Sequence, residues 1–577
     1  MDRRVVLAIV LMMAVAILPS VFFKPAKRPA GRPGARPEST ATGRAAPAPQ
    51  PAIPAPAGPL VPPAAEAPAM SEDTIVVSSP LYRYTFSTRG GRMIEATLLR
   101  YPSMRPEEAR RPAQLLAPGS QVLGLGLLAA RDTVWLRDWS FVPSTRELQV
   151  AKPESFTLTA SQGGLGVSLT YRFHPTDYLI EVEGKLEGLG PNGATLLVEM
   201  GPGLRNTEAD SLEHRREVGI VVKGDKAALT RFGKLKPGQP MAFDGPFEWV
   251  ALKSKYFVTA LLVLDSSGTG RNGGIAGASA LAADPLNKSP ALAQVTAGLP
   301  LPGAGAFRYQ LYAGPLEYPR LRAIGHDFDD VNPYGWPGFR TIIRPVALGA
   351  RSLLVWLHDR LGLAYGMGLV LFGIVIRLVL WPLNQKAMRS TMAMQVVQPL
   401  IKELQEKYKG DPQKLQQEMF KLYKEHNVNP FGGCWPMLLP WPILLALFFV
   451  FQNTIELRGA PFLWLPDLSR PDPLYVIPVV MGLSMFALSK IGQLGMEPNP
   501  QMKMMLYMMP VMMTFLFLRF ASGLNLYYTV MNLASLPQQL MLSRERMRRN
   551  PVPPQPSAPQ QRQRATVNGQ RQPPRKR

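Results

Sequence analysis

The stretch GLAYGMGLVLFGIVIRLVLWPLN, residues Gly362 to Asn384, decides the fold of this chain. It is an apolar run long enough to cross a hydrocarbon core of about 30 Å as a helix. Its one charged residue is Arg377. Because a cation at the centre of a lipid-facing helix costs at least about 2.5–3.5 kcal/mol, Arg377 should face protein or water. The sequence therefore predicts a membrane-spanning helix in a bundle that surrounds this charge.

The composition is not that of a soluble enzyme. The 577 residues include only 18% charged residues and 27 Met, and the formal net charge is +23. A basic balance suggests anionic lipid or nucleic acid as a neighbour. The single cysteine, Cys434, excludes disulfides within the chain, and the five His are too scattered to propose a metal site. No metal and no cofactor are expected.

Two segments precede the first predicted domain. Residues 1–23 place an apolar run after Arg3 and Arg4, which favours an uncleaved signal anchor with a cytoplasmic N-terminus. A cleaved signal peptide is the alternative, but no small-x-small cleavage site follows the run. Residues 24–70 are rich in Pro and Ala and cannot bury a core, so they are expected to form an extended linker.

Residues 71–315 alternate apolar and polar side chains in short runs separated by turn residues. Val167, Leu169, Tyr171 and Phe173 are one such run, and the pattern predicts a β-sandwich outside the cytoplasm. The acid and base groups that an enzyme would need have no spacing that ties them together, so we expect them on the solvated surface. These groups are His174, Asp210, Glu213 and His214.

Residues 316–360 predict two amphipathic helices. The first, within 316–331, places apolar residues on one face, and both a membrane interface and a soluble helix packed on the sandwich remain open. The second combines Arg340, Arg344 and Arg351 with apolar residues and Trp356, which favours the membrane surface.

Residues 361–542 predict a five-span core, which with the N-terminal anchor makes a polytopic bundle of six spans. After the first core span, residues 385–430 predict a cytoplasmic coiled-coil hairpin, with Asp411 as N-cap and Pro412 as first helical residue after the turn. Three spans follow within 434–455, 474–490 and 504–520, and the last covers 523–542. The basic residues 543–577 lack apolar side chains, so we expect a disordered tail attractive to phosphates.

The last span is unusually polar for a membrane helix. Such a helix should face the bundle interior and, stacked against Arg377, would give a wet lining open towards the cytoplasm. Its polar residues include Asn525, Tyr527, Tyr528, Asn532 and Gln538. An alternative is that Arg377 simply extends to the cytoplasmic interface. The span before it is crowded with Met, which suits a surface for varied apolar partners or ordinary contact with lipid.

Several motifs in this part of the chain are similar to those of the YidC/Oxa/Alb membrane-insertase family. They are Asn429-Pro430-Phe431-Gly432-Gly433-Cys434-Trp435-Pro436, Arg377 with Pro382-Leu383, Glu456-Leu457-Arg458, Met509-Pro510, and Ser522-Gly523-Leu524 before Tyr527-Tyr528. Gly373, where some members have a hydroxyl, and Pro440-Trp441-Pro442, Arg519 and Ala521 depart from the family pattern.

The resemblance implies a membrane protein insertase, not an enzyme, in a bacterial inner membrane with both termini in the cytoplasm. It also implies that the large periplasmic domain is an all-β super-sandwich. Arg377 and the polar residues of the last span would line a hydrophilic groove that receives the polar segment of a nascent membrane protein. The apolar segment would slide along residues of two other spans. These are Trp441, Leu444, Met508, Met512 and Phe515.

The resemblance also implies the Sec translocon, the ribosome and anionic lipids as partners, and we expect a monomer. Two other classes compete with this interpretation. An anion-coupled solute transporter would use Arg377 as a counter-ion, although the paired inverted repeats of that class are missing. A carbohydrate-active enzyme would use the sandwich, with the spans only as an anchor.

Overall fold

The structure of the chain is a computed structural model. It describes residues 73–549 except 109–110, 130–131, 190–192, 264–273, 285–289, 302, 304, 337, 427–440 and 495–499. The predicted anchor 1–23, the linker 24–70, the Asn429–Pro436 motif and most of the tail lie outside the described residues.

The first half of the described chain is built of β-strands. They are β1 Thr74–Ser78, β2 Tyr82–Ser87, β3 Met93–Pro102, β4 Pro112–Gln114, β5 Leu125–Ala129, β6 Asp132–Trp135, β7 Val142–Pro143, β8 Glu147–Gln149, β9 Glu154–Gln162, β10 Leu165–Phe173, β11 Leu179–Glu187, β12 Ala194–Glu199, β13 Gly219–Lys223, β14 Ala227–Arg231, β15 Met241–Phe247, β16 Trp249–Lys253, β17 Phe257–Leu262, β18 Ile275–Ala282, β19 Ala293–Leu301 and β20 Ala306–Pro315. We call this part, residues 73–315, the β unit.

The described strands form three sheets that share one apolar core. Their orders are β4-β3-β2-β1-β8, β14-β13-β16-β17-β20-β11-β10-β9-β7 and β15-β18-β19-β12-β5-β6. Strand β1 pairs with β8 in parallel, and the other pairs are antiparallel. The predicted alternation is seen in β10, where Val167, Leu169, Tyr171 and Phe173 are buried and Arg172 is exposed. The rings of Phe86 and Tyr171 lie 5.2 Å apart in this core.

The second half is helical. Its helices, with one short helix inside the β unit, are α1 Ser211–Glu217, α2 Tyr318–Ile324, α3 Arg340–Leu361, α4 Tyr365–Lys407, α5 Pro412–Glu425, α6 Trp441–Asn453, α7 Val476–Gly492, α8 Pro500–Phe517 and α9 Ser522–Arg549. Helix α9 packs between α4 and α7, α3 packs on α6, and α8 packs on α7. Leu369, Phe372, Leu447, Met481 and Leu524 meet in the core of this bundle.

Within the described ranges, Tyr365–Gln385 is the helix that is long and apolar enough to cross a membrane. Shorter apolar helices cover Trp441–Asn453, Val476–Gly492 and Leu506–Phe517.

The helix boundaries correct two expectations. The predicted first span and the first helix of the hairpin are one continuous helix, α4, of 43 residues, and Pro382 does not end it. The last helix continues to Arg549 instead of ending near Leu542, because Ser543 and Arg546 are buried against the end of α7. Arg546 donates from Nη1 to the Gly492 carbonyl over 2.8 Å, which satisfies an acceptor that a helix end leaves open. The turn into α5 is as predicted, since Asp411 accepts from the Lys414 amide at 3.0 Å and Pro412 follows it.

The first amphipathic segment packs on the β unit. Leu321, Phe328 and Val331 are buried in its core, so the soluble-helix alternative is the correct one for this segment. Helix α3 differs, because Ile343 and Leu354 are buried in the bundle while Ile342 and Trp356 on its other side are exposed.

A buried ion pair joins the β unit to the loop that follows α6. The Arg458 Nε donates to Glu208 Oε1 at 2.9 Å, and its other nitrogens donate to the carbonyls of Pro102 and Thr207 at 2.8 and 3.2 Å. The Arg458 side chain is only 1% exposed. Close by, Asn453 donates to the Pro333 carbonyl at 2.9 Å. The loop after α6 is therefore bound to the β unit through Arg458, and the end of α6 is bound to the segment that follows the β unit through Asn453.

Candidate groove site

The candidate site is centred on Arg377, a cation inside the apolar part of α4. Arg377 lies 12 residues after the first residue of α4, a rise of about 18 Å, and eight residues before Gln385, about 12 Å. Its neighbours Val375, Leu378 and Val379 are exposed, whereas the Arg377 side chain is half-buried. The apolar side chains therefore cover the outer face of α4, and the arginine lies at its inner side.

Gln538 of α9 holds the guanidinium in place. Arg377 Nη2 donates to Gln538 Oε1 at 2.5 Å, and Gln538 Nε2 donates to the Trp381 carbonyl at 3.1 Å. Gln538 is 2% exposed. An amide can accept from the arginine and donate to α4 at once, so Gln538 fixes the rotamer of Arg377 without neutralising its charge.

No carboxylate among the described residues forms an ion pair with Arg377, and its Nε is buried without a hydrogen-bond partner. Two other buried arginines differ, because Arg351 pairs with Glu456 and Arg458 pairs with Glu208. A buried donor without a partner costs about 1–3 kcal/mol unless water or another molecule reaches it. The site thus retains a net positive charge and an unused donor.

The polar side chains of α9 do not form a single lining. Asn525 donates to the Phe517 carbonyl at 3.0 Å, and Asn532 donates to Ser484 Oγ of α7 at 3.1 Å. Tyr527 lies against Phe372 of α4, with ring centroids 5.8 Å apart. Residues that point to α4 and residues that point to α7 fall on different sides of the helix because each residue turns it by 100°.

This division corrects the expectation that all five polar side chains stack against Arg377. Gln538 contacts the guanidinium, and Tyr527 lies on the same side of α9 about three turns away. Asn525 and Asn532 are used in packing α9 against its other neighbours. Tyr528 is half-buried, with its ring 5.8 Å from that of Phe517. The polar composition of α9 was the available signal, but it did not separate the two faces.

A glycine brings α4 and α9 together one turn before Arg377. A Cβ on Gly373 would lie 3.0 Å from Val530 Cγ1 and 3.6 Å from Tyr527 Cδ2. The absence of a side chain at this position lets α9 approach closely enough for Gln538 to reach the arginine. The hydroxyl that some family members carry here has no equivalent in this chain.

The residues expected to guide the apolar segment of a substrate lie on two helices. Met508, Met512 and Phe515 of α8 are exposed, whereas Trp441 and Leu444 of α6 are half-buried. Sequence reasoning did not identify the aromatic cluster near the other end of these helices. In this cluster the ring centroids of Phe448 and Phe520 lie 5.8 Å apart, and those of Phe520 and Phe517 lie 5.1 Å apart.

The acid and base groups of the β unit are separate from the groove and from each other. Asp210 caps α1 by accepting from the Leu212 amide at 2.8 Å, and Glu213 pairs with Lys255 at 2.8 Å. His214 is 4% exposed, which corrects its expected surface position, and burial lowers its pKa to about 4. His174 has Glu181 at 3.8 Å as its charged neighbour. The part of the chain that the structure describes contains no cluster of His, Cys, Asp and Glu that could hold a metal ion.

Family profiles match both halves of the chain. The profile described as 60Kd inner membrane protein matches residues 356–550, and the profile described as YidC periplasmic domain matches residues 74–347. The boundary between the two profiles falls within helix α3.

Full-length relatives named membrane protein insertase YidC are also similar to this chain. The protein from Chlorobaculum tepidum is 30% identical over 94% of this chain and 95% of its own length, and that from Syntrophus aciditrophicus is 30% identical over 94% and 100%. The protein from Nitratidesulfovibrio vulgaris is 32% identical over 87% and 92%.

A solved structure of an active YidC insertase, with its first transmembrane domain resolved, is 20% identical and covers 82% of this chain and 93% of its own, at a TM-score of 0.33. The periplasmic domain of the Thermotoga maritima YidC is 11% identical over 45% of this chain and 92% of its own, at a TM-score of 0.23.

Proposed function

The chain belongs to the membrane protein insertase YidC family, and we propose that the Arg377–Gln538 pair is the point at which it receives the polar segment of a nascent membrane protein. It is a membrane protein with a periplasmic domain, and its function is insertion, not catalysis. The family assignment favours insertion over the anion-coupled transporter.

Insertion is limited by the cost of moving charged or polar groups into hydrocarbon. A fixed positive charge partway into the bilayer lowers that cost for an acidic or polar segment, because attraction between charges is much stronger at low dielectric than in water. No bond is made or broken in this process. The requirement is a charge that is held in position and remains available to a second group.

The observation that carries the proposal is the state of Arg377. Its guanidinium is positioned by a neutral amide, has no carboxylate partner among the described residues, and keeps a buried donor without a partner. An arginine with only a structural role would be expected to pair with an acid, as Arg458 does. An incoming carboxylate or backbone carbonyl would meet this unused capacity.

The remaining groove and slide residues extend the same proposal. Tyr527 and Tyr528 would border the polar path. The buried Asn525 would hold α9 against α8 and Asn532 would hold it against α7, so both would act indirectly. The exposed Met-rich face of α8 would receive the apolar segment of the substrate, with Trp441 and Leu444 as its other border. The exposed side chains of this face are Met504, Met508, Met512 and Phe515.

Topology and partners also belong to the proposal. We place six spans in the membrane, with both termini in the cytoplasm and the β unit in the periplasm of a bacterial inner membrane. The α4–α5 hairpin and the basic tail after Arg549 would meet the ribosome and anionic lipids, the bundle would meet the Sec translocon, and the chain would act as a monomer. Support comes from the excess of Lys and Arg in residues 385–430 and 543–577.

Crosslinking tests this proposal directly. A photoreactive side chain at position 528, which leaves the Arg377–Gln538 pair in place, should crosslink to the polar segment of a ribosome-bound nascent membrane protein. A photoreactive side chain at the exposed position 142 of the β unit should not. In reconstituted vesicles, Arg377→Ala should lower the insertion of a substrate with an acidic translocated segment roughly tenfold, equivalent to about 1.4 kcal/mol. A substrate with a neutral segment is the control. Equal insertion of both substrates at the wild-type rate would reject the role of Arg377.

A further inference from the structure

The loop between α6 and α7 has the reverse of a normal surface composition. In residues 459–476 every exposed residue is apolar, and the charged residues turn inward: Asp467 and Asp472 are buried and Arg470 is half-buried. The exposed residues are Pro461, Leu463, Trp464, Pro466, Pro471, Pro473, Leu474, Tyr475 and Val476. A loop in water normally shows its polar side chains outward, so this arrangement points to an apolar environment.

The apolar side chains project from two tips. Leu463 lies at the first tip and is 75% exposed, the largest fraction among the large apolar side chains that the structure describes. Leu474 and Tyr475 form the second tip, at the start of α7. The first tip is a tight turn closed by mutual backbone hydrogen bonds of 2.9 Å between Phe462 and Leu465.

The backbone at both tips is strained. Leu463 has φ of 53° and Tyr475 has φ of 56°, in the left-handed region that favours Gly and Asn. A large apolar residue at a fully exposed turn of this kind gains nothing from water contact. Such strain persists where the side chain has a use that the surrounding structure supports.

The inward-facing acids keep the tips rigid. Asp472 accepts from the amides of Leu474 and Ile477 at 3.0 and 2.8 Å, and from Trp464 Nε1 at 3.2 Å. Ser522 and Gly523, at the start of α9, donate their amides to the carbonyls of Arg470 and Leu468 at 2.7 and 2.9 Å. At the base of the loop, Arg458 is bound to Glu208 of the β unit.

From these observations we propose that the two tips are seated in the lipid interface at the periplasmic end of the bundle and fix the height of the β unit above the bilayer. The second tip is continuous with α7, an apolar helix, so the loop ends where that helix enters the membrane. Trp and Tyr with Leu and Pro are the side chains that suit the boundary between head groups and acyl chains. Because Arg458 joins the loop to the β unit, the lipid contact sets the position of the whole unit.

Fluorescence quenching by nitroxide-labelled lipid tests the seating. An environment-sensitive fluorophore is attached to Leu463→Cys in a full chain carrying Cys434→Ala, reconstituted in phosphatidylethanolamine and phosphatidylglycerol vesicles. Nitroxides placed near the head group should quench its emission about twofold, as for a side chain at the head group–acyl boundary. The matched control is Val142→Cys on β7, which is 62% exposed and belongs to the β unit. It should show no quenching.

Labelling at a second position shows whether a local folding defect at position 463 explains the result. Leu474→Cys should be quenched like Leu463→Cys, and each variant is compared with the parent chain by its thermal unfolding midpoint. Quenching at neither tip above that at position 142 would overturn the proposal and would indicate a protein partner for the loop. The result is independent of insertion, since the vesicles contain no substrate and the groove side chains are unchanged.

Discussion

Arg458 and Arg377 are both withdrawn from bulk water, but their surroundings differ. Arg458, between the β unit and the α6–α7 loop, pairs with Glu208, donates to two carbonyls and is 1% exposed. Arg377, inside the bundle, donates to one neutral amide and keeps a buried Nε without a partner. A charge that is fully paired contributes to structure, whereas a charge held by an amide stays available. The chain thus has a fully paired arginine at the β unit and, in the bundle, an arginine that no described carboxylate neutralises.

Removing Arg458 should have the largest effect on stability. Arg458→Ala leaves Glu208 buried and unpaired, so we expect a loss of about 3–5 kcal/mol. The thermal unfolding midpoint in detergent, followed by tryptophan fluorescence, measures it. The matched control is Arg308→Ala, which breaks an exposed pair with Glu181 and should cost about 1 kcal/mol or less. If Arg458→Ala and the control unfolded at the same temperature, Arg458 would not have the structural role that distinguishes it from Arg377.

Acid should weaken the β unit through His214. Burial lowers its pKa to about 4 in the folded chain, below the ordinary value of 6.5. As pH falls from 6.5 to 4, the imidazole binds a proton in the unfolded chain but not in the folded chain. The contribution of His214 to the free energy of unfolding is therefore complete above pH 6.5 and is lost on acidification, by up to about 3 kcal/mol.

The stability of wild type and His214→Gln, measured between pH 7 and pH 4, checks the role of this histidine. The variant should lose less stability over this range than wild type, and His174→Gln, which changes a more exposed histidine, should follow wild type. Parallel curves for all three proteins would contradict the assignment.

A carboxylate beside Arg377 should pair with its guanidinium, as Glu208 pairs with Arg458. Gln538→Glu places a carboxylate where the amide oxygen now accepts from Nη2. We expect insertion of acidic substrates to fall roughly tenfold, about 1.4 kcal/mol. Thermal stability should change little, because the new ion pair offsets the lost hydrogen bond to the Trp381 carbonyl. Gln539→Glu is the matched control, because Gln539 lies beside Gly492 of α7. If both variants inserted substrates at the same rate, availability of the charge would not be the property that matters.

The smallest effect concerns the approach of α4 to α9. Gly373→Ala would bring a Cβ to 3.0 Å from Val530, which offsets the gain of about 1 kcal/mol that Ala brings to a helix. Gly368→Ala in the same helix meets Leu354 at an ordinary 3.5 Å and should keep that gain. The two unfolding midpoints should therefore differ in favour of Gly368→Ala. Equal midpoints would show that Val530 moves aside freely.

Periodicity predicted the parts of the fold that depend on neighbouring residues. The alternation of Val167, Leu169, Tyr171 and Phe173 identified a strand with one buried face, and the Asp411-Pro412 pair identified a helix start. Both signals act within a few residues, through side-chain direction and capping. Arg377 was identified for a similar local reason, as the one charge in an apolar run.

Features that depend on distant contacts could not be predicted in the same way. The side of α9 that Asn532 occupies is set by Ser484 of α7, and the burial of His214 is set by the fold of the β unit. The extension of α9 to Arg549 depends on carbonyls at the end of α7, to which Arg546 donates. The predicted boundary between the first core span and the hairpin at residue 385 is absent, because α4 continues through it.

Because α4 is one continuous helix, it contains both the arginine and the first arm of the hairpin. From Arg377 to Lys407 the helix rises for 30 residues, about 45 Å, with no joint between them. A partner that bound the hairpin would therefore bind the same continuous helix that carries the guanidinium. A helix that broke at Pro382 would have separated the arginine from the hairpin.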